Sequence, residues 1–277
     1  MNDLDVLVVG GGISGLTIAQ NLVGSGLKVE VWEGSERVGG KIQTVVKQGY
    51  QLEQAASMVM NFRSEVDPFL RNAGLESRKH LRSSKATRYV AGADRLVEVP
   101  TGIRALLSTP LLTTAGKLRL LAEPLAPRGN KPDESIAEFV TRRLGKEFLD
   151  QVFEPYVAGP LASDASVAEA RAAMPKLTAL EKRYRSLALG AIVRKLSHRG
   201  SPARPEVFSF NGGMKSLAQT LVDEGGFGVR NSMQVDELWP VKGGWMTRAS
   251  TTNGTRTVFS RQLVLSTPAP AAAALVE

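Results

Sequence analysis

Gly10, Gly12 and Gly15 stand in the run Val6-Leu7-Val8-Val9-Gly10-Gly11-Gly12-Ile13-Ser14-Gly15-Leu16, between an apolar strand-like stretch and an amphipathic helix. The chemistry this spacing supports is recognition of a dinucleotide through its pyrophosphate. Gly10 permits the tight turn out of the strand, Gly12 lets backbone approach the pyrophosphate, and Gly15 lets helix pack closely on sheet. The helix N-terminus, at Ile13 and Ser14, then faces the phosphates. Val29-Glu30-Val31-Trp32-Glu33 is predicted to be a second strand ending in an acid, Glu33, eighteen residues beyond Gly15. A carboxylate at that place accepts hydrogen bonds from ribose hydroxyls and repels a 2′-phosphate, so NADP is disfavoured.

Six residues after Glu33, a second glycine pair lies within Glu33-Gly34-Ser35-Glu36-Arg37-Val38-Gly39-Gly40-Lys41-Ile42. Gly39 and Gly40 permit another close approach of backbone to ligand, with the positive charges of Arg37 and Lys41 on either side. The alternative is a surface turn with two solvated cations, and the preceding motif favours the ligand-facing reading. This combination resembles the flavoprotein superfamily of amine oxidases, phytoene desaturases and protoporphyrinogen oxidases. The resemblance implies FAD rather than NAD, with Gly39 and Gly40 lining it and Glu33 on its ribose. Gly34, in the same run, joins them as a candidate cofactor contact.

These residues need a scaffold, and the flanking pattern supplies one. Asp3 to about Ile42 is predicted to be strand, helix, strand, with Leu16, Ala19, Leu22 and Val23 as the helix's apolar face and Gly24 to Gly26 ending it. A helix through Val66, Phe69 and Leu70 stops at Gly74, and Arg88 to Val99 resembles a hairpin turning at Gly92-Ala93-Asp94. From Thr101 to about Gly200 the composition shifts to Leu, Ala, Arg and Lys in helical periods broken by prolines. Ser135 followed by Glu138 marks a capping box there, after Asp133 and Glu134, and the helix presents Ile136, Phe139 and Val140 together. After Pro205 short strands and turns return, with Val207 to Phe210, a Gly212-Gly213 turn opening a helix, and alternating segments near Val235, Trp245 and Leu263 to Leu265. The expected fold class is α/β: a Rossmann-like FAD-binding domain over residues 1–87 and 204–277, with a partial substrate domain. A hairpin and mainly helical insertion over residues 88–203 interrupts it.

Composition removes other chemistries. The chain of 277 residues is 43% hydrophobic and can bury a sizeable core. It has no cysteine, which removes disulfides, thiolate nucleophiles, Cys-ligated zinc, iron–sulfur clusters and flavin attachment through sulfur. His80 and His198 are the only histidines, too few for a multi-histidine metal site and a poor basis for a triad. Neither a metal site nor a catalytic side chain is expected. Asp3 and Asp5 stand where a signal peptide would carry cations, and no apolar run approaches about 18 residues, so a cytoplasmic chain, soluble or peripheral, is expected. The net charge of +8 suits anionic ligands or surfaces. Nucleic acid is not expected, because the basic stretch Arg194, Lys195, Arg199 and Arg204 lacks interleaved aromatics.

The middle of the chain narrows the resemblance. Asp133-Glu134-Ser135-Ile136, Arg142-Arg143-Leu144-Gly145, Glu154-Pro155 and Ala158-Gly159 follow in the order seen in flavin-dependent protoporphyrinogen and coproporphyrinogen oxidases. Gly39-Gly40-Lys41-Ile42-Gln43-Thr44, Leu180-Glu181-Lys182-Arg183-Tyr184 and Asn211-Gly212-Gly213-Met214 match as well. The chain resembles this family along essentially its whole length. What the resemblance implies is oxidation of a porphyrinogen to a porphyrin in heme biosynthesis, by repeated two-electron transfers to noncovalent FAD, with molecular oxygen as acceptor. A flavin that carries the hard chemistry accounts for the sparse inventory of acids, bases and nucleophiles.

The same resemblance places Arg88 against a substrate propionate, which guanidinium geometry suits; a solvated strand-end arginine is the alternative. It places Val235 at backbone contacts to the adenine of FAD, where a plain core valine is equally compatible. It likens the helical insertion to a membrane-facing region, and Leu106, Leu107, Leu111, Leu112, Leu118, Leu120 and Leu121 with Lys117 and Arg119 suit peripheral association as well as internal packing. The chain departs from the family pattern at Gln54-Ala55-Ala56-Ser57-Met58 and at Ser163-Asp164-Ala165. It ends at Glu277, where the family continues, so a C-terminally truncated chain is expected. Two other functions stay open: oxidation of an amine or a carotenoid by the same flavin chemistry, and a catalytically silent FAD-binding protein.

Overall fold

The structure, a computed structural model, describes residues 4–61, 63–83, 87, 89–91, 95–100, 103–159, 161–197 and 206–276. The chain divides into two compact units, residues 1–83 with 205–277 and residues 84–204. Arg88, the turn residues 92–94, His198 and the 198–205 stretch lie outside the described residues.

The first unit starts with β1 (Leu4–Val9), α1 (Ile13–Val23) and β2 (Val29–Trp32). A hairpin of β3 (Thr44–Lys47) and β4 (Tyr50–Glu53) follows, then β5 (Val59–Asn61), α2 (Val66–Asn72) and β6 (Lys79–Leu81). In the second unit β7 (Tyr89–Ala91) pairs antiparallel with β8 (Leu96–Glu98), Val90 opposite Val97. Among the described residues the α-helices that come next are α3 (Ile103–Ser108), α4 (Thr114–Leu121), α5 (Ile136–Leu144), α6 (Lys146–Phe148), α7 (Glu154–Ala158), α8 (Ala170–Ala173), α9 (Pro175–Tyr184) and α10 (Leu187–Ser197). The chain returns to the first unit with β9 (Glu206–Phe210), α11 (Lys215–Glu224), β10 (Gly228–Arg230), β11 (Gln234–Val241), β12 (Gly244–Thr251), β13 (Gly254–Leu265) and α12 (Ala269–Val276).

The main sheet runs β10-β2-β1-β13-β12-β11. β10, β2, β1 and the second half of β13 are parallel, and the first half of β13 forms an antiparallel meander with β12 and β11. Successive side chains of a strand point to opposite faces, so β1 feeds two cores. Val6 and Val8 face Leu16 and Ala19 of α1 and Leu217 and Leu221 of α11, whereas Leu7 and Val9 face Met233, Val235, Ala249 and Val258. A strand covered on both faces is apolar, which is why Val6–Val9 is a continuous apolar run instead of alternating. A second, three-stranded sheet has the order β5-β9-β6. Its central β9 buries Phe208 and Phe210, whose rings meet edge to face at 5.6 Å; each buried ring contributes about 2–3 kcal/mol.

In the second unit, Ser135 and Glu138 form the capping box at the start of α5. Ile136, Phe139 and Val140 are buried together with Leu149, Val157, Met174 and Leu187. Behind them Arg143 and Glu123 are paired at 0% and 1% exposure. Glu123 also accepts hydrogen bonds from Ser186 Oγ (2.6 Å) and the amides of Leu187 (2.9 Å) and Ala188 (3.2 Å), so it caps the start of α10. Arg143 also donates to the carbonyls of Ala126 and Arg185, both at 3.0 Å. Its neighbour Arg142 bridges Glu134 and Glu181, each at 2.7 Å.

Candidate functional site

Each of the three opening glycines is required for a different geometric reason. Gly10 has φ +107°, its amide donates to the Trp32 carbonyl at 2.8 Å, and a Cβ on it would lie 2.8 Å from the Ser266 carbonyl oxygen. A Cβ on Gly15 would lie 2.0 Å from the Gly10 carbonyl oxygen, so helix and strand end approach only because Gly15 has none. Gly12 has an ordinary φ of −70°, and a Cβ there would meet nothing within 4 Å. Gly12 therefore faces open space, and what its missing side chain leaves free is a place for a ligand.

That space sits at the start of α1, a helix with neither a side-chain cap nor an acid in its first turn. The first amides of a helix have no intrahelical acceptor and carry the positive end of its dipole, so here they are available to an anion. The acid ending the second strand is fixed from the same loop. Glu33 Oε2 accepts the Gly11 amide at 2.7 Å, and Oε1 accepts the Ser35 amide at 2.9 Å and the Ser35 hydroxyl at 2.7 Å. A carboxylate offers about four acceptor positions, and the three protein bonds leave Oε2 able to take one more donor.

The second glycine pair lies directly on the first loop. The Gly39 amide donates to the Gly11 carbonyl at 2.8 Å, and a Cβ on Gly40 would stand 3.2 Å from Gly12 Cα. Both residues have positive φ, +99° and +56°, a conformation that favours glycine. The Arg37 side chain turns into its own loop and donates to the Gly40 carbonyl and Gln43 Oε1, both at 2.9 Å, and more weakly to Ile42 and Val38.

Around these loops is a cavity of about 920 Å³, within the size range of small-molecule and cofactor sites. It lies at the carboxyl ends of β1, β2 and β13, the place where ligands settle in an open parallel sheet. Of the residues singled out in the sequence, Gly10, Gly12, Ile13, Ser14, Glu33, Gly34, Gly39, Gly40, Lys41 and Val235 line it. Gly15 and Arg37 do not, and their contacts hold helix and loop in place behind the wall. Sequence reasoning passed over Gln234 and Asp236 beside Val235, and over Ser266, Thr267 and the inner face of α12, which close the cavity. The signal for the latter was present: apolar Leu263–Leu265, then Ser266-Thr267-Pro268, then an alanine-rich stretch, repeats the strand-turn-helix order of the N-terminus.

Comparison with known proteins identifies the family. A family model described as flavin containing amine oxidoreductase matches residues 13–277. Protoporphyrinogen oxidase 2, chloroplastic/mitochondrial, of Arabidopsis thaliana is 32% identical over 235 residues, covering 78% of this chain and 46% of the relative. Coproporphyrinogen III oxidase of Bacillus subtilis (strain 168) is 32% identical over 242 residues, covering 79% of this chain and 50% of the relative. The chain thus spans about half the length of the curated relatives it matches. A solved structure from Exiguobacterium sp. 255-15, described as a candidate protoporphyrinogen oxidase, superposes with a TM-score of 0.75 at 21% identity, covering 98% of this chain and 60% of the other.

Proposed function

Because this chain belongs to the flavin containing amine oxidoreductase family, we propose that it carries the FAD site of an oxidoreductase that oxidises a porphyrinogen. The observation that carries the reading is the stacking of two glycine loops, Gly39 on Gly11, beside an unobstructed Gly12 and an uncapped helix start. The residues fit FAD held without a covalent bond. The amides at Ile13 and Ser14 receive its diphosphate, the remaining acceptor position of Glu33 receives a ribose hydroxyl, and the backbone at Val235 meets the adenine. Lys41, exposed on the cavity wall, adds positive charge near the diphosphate. When bound, FAD supplies two-electron oxidation, with molecular oxygen as the final acceptor. The protein's part is to bind, orient and set the electrostatics.

The porphyrinogen assignment is supported by the names of the relatives and by the motifs of the second unit, with Arg88 assigned to a propionate. Protoporphyrinogen and coproporphyrinogen share that carboxylate chemistry. We place the protein in the cytoplasm, docked peripherally on a membrane. No helix among the described residues is long and apolar enough to cross a membrane, whereas Leu118 and Leu121 on α4 and Leu189, Ile192 and Leu196 on α10 are exposed.

The test is anaerobic. The protein is loaded with FAD, freed of excess, and mixed with protoporphyrinogen, coproporphyrinogen or a primary amine while the visible absorbance of the oxidised flavin is followed. Bleaching by a porphyrinogen and not by the amine is expected. Bleaching by the amine alone overturns the substrate class, and a preparation that retains no flavin overturns the cofactor site.

A further inference from the structure

Ser266 and Thr267 follow β13 directly and line the same cavity as Gly12 and Glu33. The hydroxyl oxygens of both are shielded from solvent and have no hydrogen-bond partner. A hydroxyl denied both water and protein is unfavourable, and native structures satisfy nearly all such groups. Thr247 and Ser260 also carry buried unbonded hydroxyls, but they do not line the cavity. The backbone at Ser266 is pinned, its amide donating to the Val9 carbonyl at 2.8 Å. Both side chains are half-buried, and neither hydroxyl has a protein bond to lose on meeting a ligand.

Their place in the sheet says which part of a ligand they meet. Val9 of β1 pairs with Trp32 on one side and Leu265 on the other, so Glu33 and Ser266 leave the sheet on opposite sides of Gly10. Adjacent strands are about 4.8 Å apart, which puts the two residues about two strand spacings from each other with the glycine loop between. A dinucleotide with one ribose on Glu33 and its diphosphate over Gly12 carries its other half past Ser266 and Thr267. We propose that these two hydroxyls bond the flavin-side phosphate and ribityl chain of FAD, which makes β13 and its following turn a second anchoring arm. This rests on the FAD reading above.

Calorimetric titration with FAD and, separately, with AMP tests it on the wild type, Ser266→Ala, Thr267→Val, Thr267→Ser and the Ser266→Ala/Thr267→Val double variant. Loss of one such hydrogen bond weakens FAD binding about 3- to 10-fold, more in the double variant. Thr267→Ser keeps its hydroxyl and stays near wild type, and AMP affinity is unchanged throughout. Unaltered FAD affinity in the double variant overturns the inference. An equal loss for AMP also overturns it, because the effect is then on the shape of the loop. A wild type that binds neither ligand overturns the FAD reading and this inference with it.

Discussion

The Gly11 amide and the Glu33 carboxylate are joined at 2.7 Å, which ties the first glycine loop to the acid at the end of β2. One side chain thus fixes the pyrophosphate loop and presents an acceptor to the ribose. Glu33→Ala removes both, and FAD affinity is expected to fall by at least about 10-fold, equivalent to about 1.4 kcal/mol. Glu33→Gln keeps one carbonyl acceptor but turns an N–H group toward donors, and falls between the two. FAD titration of the three proteins checks the order, and equal affinities would remove Glu33 from the site.

Gly12→Ala and Gly15→Ala separate binding from folding. The Gly15 substitution drives a Cβ to 2.0 Å from the Gly10 carbonyl oxygen, and such overpacking costs about 1–3 kcal/mol or more. Its melting temperature drops. Gly12→Ala meets no protein atom within 4 Å at a φ that alanine accepts, so its melting temperature stays near wild type while FAD binding is lost. Thermal melts with and without FAD distinguish the two, and a destabilised Gly12→Ala protein would contradict the open cradle.

In the second unit, Glu123→Gln strands Arg143 as a buried charge with a weakened partner, at a cost of about 3–5 kcal/mol. Burial opposes ionisation of Glu123, but bonds from Ser186, the Leu187 and Ala188 amides and the Arg143 charge outweigh it and hold its carboxyl below the usual glutamate range. A carboxyl whose folded value is depressed adds stability above its unfolded value and loses it as pH falls through the folded one. Denaturant melts are therefore expected to weaken below about pH 4.5, the unfolded value, with a flatter acid limb in Glu123→Gln. An unchanged acid limb would assign the loss to other carboxylates, of which Glu181, buried against Arg142, is also held low.

Peripheral docking is open to a simple sedimentation assay. Leu189, Ile192 and Leu196 share one exposed face of α10 at helical spacing. Vesicles containing anionic lipid are expected to pull down the wild type, less so at high salt, and Ile192→Asp/Leu196→Asp to pull down several-fold less. Equal sedimentation of both proteins would assign this face to another role.

Local chemistry was legible in the sequence and long-range pairing was not. The glycine spacing, the acid at position 33, the Ser135–Glu138 cap and the Gly212–Gly213 turn into α11 all rest on contacts within a few residues or on one βαβ unit, and the structure places each as an ordered element. The sheet β5-β9-β6 joins segments more than a hundred residues apart, and no period within either segment announces it. Arg143 stood out only as half of an Arg-Arg pair, because its partner Glu123 is 20 residues away on a short turn and acquires meaning only by capping α10. Arg37 looked like a ligand-facing cation on charge alone. Its planar donors satisfy the carbonyls of a tight glycine turn instead, a demand that only the folded backbone reveals.

The most direct measurement is the FAD content of the purified chain after loading and gel filtration, wild type against Gly12→Val. A dinucleotide seated over Gly12 gives close to one FAD per chain in the wild type and almost none in the variant, with both proteins folded. A wild type that emerges without flavin, or a Gly12→Val protein that retains it in full, would contradict the placement of FAD in this cavity.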